Sequence, residues 1–310
     1  MRALWLAAVI ALALAACERT PPDPLAEARA TCADIGAEAE ARISACTSLI
    51  ESGELGDPER SAALSGRGDA AYEAGDVTMA LRDYTAALGI DASAPAALKG
   101  RAAILIESGQ LDAAEPLVQR LIEADAFPGE AHYYAGVIAQ QRGNVGAATE
   151  AYDASIAADQ FAPAYAARAS IKQAQQDYAG ALDDYNAALR INGQLTPALA
   201  GRCWTRVLME EGDLNGARAD ADAAAQADPR NVEAQLCRGL LQLRAGEWAD
   251  ARASYEAALE SEPGNPSALF GRGVARRRSG DSDGREDMNQ ARDFDRHVAR
   301  RFDDLGVDTF

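Results

Sequence analysis

The sequence predicts an all-α fold, a solenoid of stacked helical hairpins, and three observations predict it. Ala80, Ala114, Ala148, Ala181, Ala217 and Ala251 recur at intervals of 34, 34, 33, 36 and 34 residues. Five residues before each stands a turn signal: Gly75-Asp76, Gly109-Gln110, Gly143-Asn144, Gln176-Asp177, Gly212-Asp213 and Gly246-Glu247, with Gly280-Asp281 keeping the beat without the alanine. Hydrophobic residues make up 48% of the chain but aromatics only 6%, a balance that suits thin, closely packed helices better than a sheet-centred core. A period of this length marks one supersecondary unit, too small to bury its apolar face alone and therefore stacked on its neighbours.

The elements follow in chain order. Residues 1–16 read as an export signal: Met1-Arg2 precedes an unbroken apolar run from Ala3 to Ala16, shorter than the roughly 20 residues a membrane-spanning helix needs. The run ends in Leu14-Ala15-Ala16-Cys17, which resembles the bacterial lipoprotein box, where small residues admit the peptidase and the Cys17 thiol accepts the lipid. That resemblance implies an acylated N-terminus at Cys17, with residues 17–24 a short proline-rich tether. Glu18 stands where an Asp favours inner-membrane retention in related lipoproteins, so the expected location is the outer membrane, facing the periplasm.

Residues 25–60 are expected to form a capping hairpin. On one straight helix Cys32 and Cys46 would stand about 21 Å apart, but Gly36 lets the segment fold back, which favours a disulfide over two buried thiols. Cys203 and Cys237 lie 34 residues apart, hence at one place in neighbouring repeats. Packed helix axes run about 8–10 Å apart while a disulfide needs α-carbons within about 7 Å, so the spacing favours unbridged thiols there.

With the recurring alanine numbered 20, the units span 61–94, 95–128, 129–161, 162–197, 198–231 and 232–265, followed by a degenerate seventh and cap over 266–310. Small residues stand at position 8 (Gly68, Ala102, Gly136, Ala169, Thr205, Gly239, Gly273), tyrosine at 24 (Tyr84, Tyr152, Tyr185, Tyr255), and alanine at 27 (Ala87, Ala188, Ala224, Ala258), with Pro229 and Pro263 at 32. Small residues at 8 and 20 let the two helices of a hairpin approach, and the aromatic fills the gap beyond. This pattern resembles the tetratricopeptide repeat (TPR), and the resemblance implies a right-handed TPR-type α-solenoid with a partial hairpin as N-terminal cap and a helical C-terminal cap. In the last unit Arg285, Asn289 and Arg292 replace packing residues, as an end repeat facing water would. The tail from Asp295 is expected to add one solvating helix. Arginine recurs at position 7 (Arg67, Arg101, Arg168, Arg238, Arg272), with Asp83 and Asp184 at position 23 as structural ion-pair partners rather than a ligand ladder.

The resemblance also implies a concave groove lined by the first helix of each hairpin. Carried onto this sequence, the groove residues are Arg202, Arg206 and Met209 of the fifth repeat, Leu236, Leu240 and Leu243 of the sixth, and Phe270, Val274 and Arg277 of the seventh. Tyr133, Tyr134 and Val137 of the third form a second candidate. An apolar stripe beside guanidinium groups suits an amphipathic or extended peptide bearing a carboxylate. His132 is expected to pack inside.

No nucleophile elbow, P-loop or HExxH motif is present, and only two histidines occur, His132 and His297, so neither catalysis, a metal nor a cofactor is expected. A net charge of −18 argues against nucleic acid and anionic lipid faces as partners. The expected function is a lipid-anchored scaffold that binds a protein or peptide in cell-envelope assembly, secretion or pilus biogenesis, or cell-wall enzyme recruitment. A self-associating structural component is the alternative, and a glycan- or lipid-binding protein the third.

Overall fold

The computed structural model describes residues 25–209 and 212–308. The expected export signal, Cys17 and all of the tether fall outside them. The described residues hold seventeen helices and no strand. They divide into two compact units, to Phe127 and from Pro128.

The first unit opens with the expected capping hairpin, α1 (Ala26–Ala33) and α2 (Ala39–Ser52), joined by a Cys32–Cys46 disulfide with α-carbons 4.9 Å apart. Repeat one follows as α3 (Asp57–Glu73) and α4 (Val77–Ile90), and repeat two as α5 (Pro95–Glu107) and α6 (Leu111–Glu123). The second unit continues with α7 (Pro128–Gln141), α8 (Val145–Asp159), α9 (Ala162–Ala174), α10 (Tyr178–Ile191), α11 (Thr196–Leu208) and α12 (Leu214–Ala227). Its last five helices are α13 (Val232–Ala245), α14 (Trp248–Ser261), α15 (Pro266–Arg278), α16 (Gly284–Phe294) and α17 (Val298–Asp304).

The turn signals work as their chemistry requires. Gly75, Gly143 and Gly246 sit at φ +84°, +77° and +75°, the left-handed conformation that ends a first helix without steric cost. The next polar residue then caps the second helix: Asp76, Asn144, Asp177 and Asp213 each accept from the amide three residues on. All six recurring alanines are fully buried, where a larger residue would push the paired helices apart. The seventh repeat has its small residue one place early. Gly284 faces Gly273 so closely that a Cβ on Gly273 would come within 2.6 Å of the Gly284 carbonyl oxygen.

The tyrosine at position 24 is wedged between first helices of consecutive repeats. Tyr84 fills the space over Gly68 and Gly100, and Tyr255 the space over Gly239 and Gly271. Arginines at position 7 then brace the stack. Arg67 donates to both oxygens of Asp83 (2.6 and 2.9 Å) and also reaches Thr47 of α2 at 3.1 Å. Arg168 does the same to Asp184 (2.8 and 2.7 Å) while holding Asp153 of the preceding second helix. The sequence-based pairing of these arginines with Asp83 and Asp184 is what the structure contains. Burial works to raise the Asp184 carboxyl, but hydrogen bonds from Arg168 and Lys172 outweigh it and hold the group below the ordinary carboxylate value.

Repeat five corrects the sequence reading in two ways. First, α11 begins 34 residues after α9, whereas α12 begins 36 after α10, so the two extra residues of the long interval lie between the paired helices and not before them. The first helix of repeat five is therefore displaced by two in the frame, which puts Gly201 at position 6, Arg202 at 7 and Cys203 at 8. Second, Cys203 and Cys237 are bonded, with α-carbons 6.5 Å apart. Unbridged thiols were expected because 34 residues implied equivalent positions. With the displacement, the pair occupies positions 8 and 6 of adjacent first helices, the places where Gly239 and Gly271 nearly meet around Tyr255. Position 24 of repeat five is Ala221, fully buried, so a disulfide fills the space that a tyrosine ring fills elsewhere.

Candidate functional site

The two units each present a face built from first helices, and the sequence-predicted binding residues distribute over them unevenly. Arg202 and Arg206 are both engaged in ion pairs, although Arg202 also lines an open hollow of 390 Å³ with Leu189 and Leu199. Arg202 donates to both carboxylate oxygens of Asp220 (2.8 and 2.6 Å), and Arg206 contacts the same carboxylate, which is 4% exposed. The two-residue displacement turns both arginines inward toward α12, where they serve as structural ion pairs. Met209 lies past the last residue of α11 in extended backbone.

Leu236, Leu240, Leu243, Phe270 and Val274 do occupy the expected face, yet all are buried, at 7%, 1%, 2%, 0% and 3% exposure. They belong to one buried cluster with Val298, Phe302 and Val307. The tail from Val298, expected only to solvate the end of the stack, instead lies over this stripe, with the Phe302 ring 5.0 Å from Phe270 and 6.3 Å from Tyr255. Arg277 leans on α16, its guanidinium 3.9 Å from the Met288 sulfur, and does not point into the groove. Arg278, which the sequence reading passed over, reaches the tail instead, donating to the Asp308 carbonyl oxygen at 2.8 Å and pairing with its carboxylate at 2.9 Å.

The second sequence candidate is half-buried. Tyr133 packs among the rings of Tyr134, Tyr152 and Phe161 at 5.8, 5.9 and 5.4 Å, with Tyr134 and Val137 also half-buried on α7. His132, expected inside, is half-buried as well.

An open, mainly apolar groove that was missed from sequence lies in the first unit. It encloses 450 Å³ between α1, the first-helix face of α3, and the start of α5. Its walls are mainly apolar and small: Ala33, Leu55, Ala62, Ala63, Gly66, Pro95 and Ala96, with Ile35 at 85% exposure near its edge. Arg29, Arg42, Glu59, Asp69 and Asp91 supply the charged points, with Arg29 facing Glu59 at 4.0 Å. Gly66 lines the groove beside the disulfide, where a Cβ would sit at ordinary contact distance, 3.7 Å, from both the Cys32 and Cys46 sulfurs. Tyr84 donates to Asp69 at 2.7 Å. Burial nonetheless raises the Asp69 carboxyl above its ordinary value, against the lowering effects of that hydrogen bond and of Lys99 and Arg42. Sequence reasoning could have found this groove only by treating 25–60 as a wall of the binding face as well as an end cap. Among the described residues, no cluster of His, Cys, Asp or Glu could hold a metal ion.

The comparisons agree with this architecture. A family model described as tetratricopeptide repeat matches residues 38–97, 205–266 and 236–284, and a second with the same description matches residues 71–135. The Cut9–Hcn1 hetero-tetramer of the APC/C is similar in structure, with a TM-score of 0.63 at 16% identity over 76% of this chain. The chain spans 49% of that one. The pilF protein of Pseudomonas aeruginosa gives a TM-score of 0.57 at 15% identity, over 67% of this chain and 96% of pilF. At such identities the likeness is one of fold. No curated protein sequence matches. Periodic small residues, tyrosine wedges and paired helices thus converge with the family models: the chain belongs to the tetratricopeptide repeat family and has the fold of a protein-interaction scaffold.

Proposed function

We propose that this protein is a lipid-anchored adaptor of the bacterial cell envelope that captures a segment of a partner protein on the first-helix face of its repeats. The observation that carries the reading is the 450 Å³ groove of the first unit, apolar along its walls and punctuated by Asp69, Arg29 and Arg42. A chain segment with apolar side chains on one edge fits such walls, and a cationic group on it would meet the partly desolvated Asp69 carboxylate. The lipoprotein-like box at Leu14–Cys17 supports attachment to a membrane, and the two disulfides support an oxidising compartment. Tethering beside the membrane would raise the local concentration of the captured partner relative to membrane-bound targets.

Photo-crosslinking in cells tests this reading. A crosslinkable residue at Ala62 or Ala96, in the groove, is expected to give a discrete adduct, and one at Thr85, exposed on α4, is expected to give none. Equal adducts from Thr85 overturn the groove. Labelled palmitate is expected to enter the wild-type chain and not the Cys17→Ala variant; label retained in that variant overturns the anchor.

A further inference from the structure

Four repeats carry the position-24 tyrosine, and the fate of its hydroxyl differs. Tyr84 donates to Asp69 at 2.7 Å, Tyr152 to Gln140 at 2.6 Å and Tyr185 to Gln173 at 3.5 Å, each acceptor on a first helix. At Tyr255 the corresponding side chains are Leu240 and Leu243, and its buried hydroxyl has no hydrogen-bond partner among the described residues. Phe302 lies over that ring. A lone polar atom thus ends at the floor of an apolar stripe that the chain's own tail covers.

The covering segment has the form of a ligand. Val298 and Phe302 stand one helical turn apart on α17 and are buried at 0% and 4% exposure. Gly306 then turns left-handed at φ +77°, with the amides of Gly306 and Val307 bonded back to Asp303 and Phe302, which aims Val307 into the same cluster at 4% exposure. Asp308 meets Arg278, and Arg301 reaches Ser267 at 3.5 Å. The helix itself has seven residues, far short of the roughly 12–15 that hold together alone, so its order depends on this docking.

We propose that residues 298–308 are an intramolecular occupant of a peptide-binding groove formed by α13 and α15, which a partner protein opens by displacing them. The partner segment carries the pattern of the tail, an apolar residue and an aromatic one turn apart followed by an apolar residue and a carboxylate, and adds an acceptor for the Tyr255 hydroxyl. The carboxylate takes Arg278, and the acceptor satisfies the group that the tail leaves bare, which favours the partner over the tail. This goes beyond the adaptor reading and involves first helices of the second unit, whereas the adaptor groove lies in the first, so failed crosslinking at Ala62 leaves it standing.

The probe is a fluorescent peptide of residues 296–308, measured against the full chain and against a variant carrying Val298→Asp and Phe302→Asp, which unseats the tail and leaves the groove residues unchanged. The opened variant is expected to bind at least about tenfold tighter than wild type, because the closed population no longer competes. Adding Arg278→Glu is expected to weaken that binding about tenfold. No binding to a folded opened variant, or equal binding by both chains, overturns the proposal. So does a wild-type dimer in light scattering that the opened variant loses, since the tail would then serve a second copy. Should the opened variant misfold, hydrogen exchange on the wild type decides: amides of 300–305 are expected to exchange at least about a hundredfold faster than those of α15. Equal protection means that the tail leaves only when the repeats unfold, and the proposal fails.

Discussion

Tyr84 in repeat one and Tyr255 in repeat six fill the same gap between consecutive first helices, yet their hydroxyls end in opposite surroundings. Tyr84 meets Asp69, and the face around it stays open as a 450 Å³ groove. Tyr255 meets leucines, and the face around it is closed by the chain itself. The wedge is common to both and concerns packing. What differs is the polarity of positions 9 and 12 on the first helix, and that decides whether a groove can stand wet or must be covered. Repeat five gives a third solution, with no ring at all and a disulfide in its place.

The comparison can be tested by substitution, starting with the largest effect. Cys237→Ser removes the bond that replaces the ring in repeat five and is expected to cost about 3 kcal/mol, read as a lowered Tm, with reductant lowering the wild type further because it also opens Cys32–Cys46. If the Tyr84 and Tyr255 junctions are alike, Gly100→Ala and Gly271→Ala should each cost about 2 kcal/mol, since a Cβ at either glycine would overlap the tyrosine. A large asymmetry between these two variants would mean that the wedges are not equivalent.

The hydroxyls separate the regions by sign. Tyr84→Phe strips Asp69 of a donor and should destabilise by about 1 kcal/mol, whereas Tyr255→Phe removes a buried unpartnered group and should be neutral or stabilising. The smallest effect concerns pH. Because burial raises the Asp69 carboxyl in the folded chain, its contribution is complete below the ordinary carboxylate value and part of the stability is lost as pH rises through the raised one. Asp69→Asn removes that loss, so the Tm of variant and wild type should converge toward about pH 4 and the variant should lead at about pH 7.

The repeats were legible because close helix approach demands small residues at fixed places, and Ala80, Gly68 and their equivalents show that demand directly. The pairing of Arg67 with Asp83 was legible for the same reason, since fixed spacing brings both to one interface. The site was less so. A 36-residue interval does not say which connection holds the two extra residues, and the wrong choice placed Arg202 and Arg206 in a groove when they bind Asp220. The leucine stripe at 236, 240 and 243 is buried in one cluster with the tail. Its cover was unreadable because VARRFDD looks like a charged surface helix, with only Val298 and Phe302 to mark a buried edge. The groove beside α1 depends on how a capping hairpin folds back, which the repeat pattern does not encode.

The Cys203–Cys237 bond couples mechanics to redox state. With those sulfurs reduced, the fifth junction would hold only Ala221 where its neighbours hold a phenol ring, making it the softest joint of the second unit. Oxidation stiffens that joint without adding an atom to the core. A chain still bearing free thiols would therefore bend and exchange its amides first between α11 and α13, and its rigidity would report the compartment in which it resides.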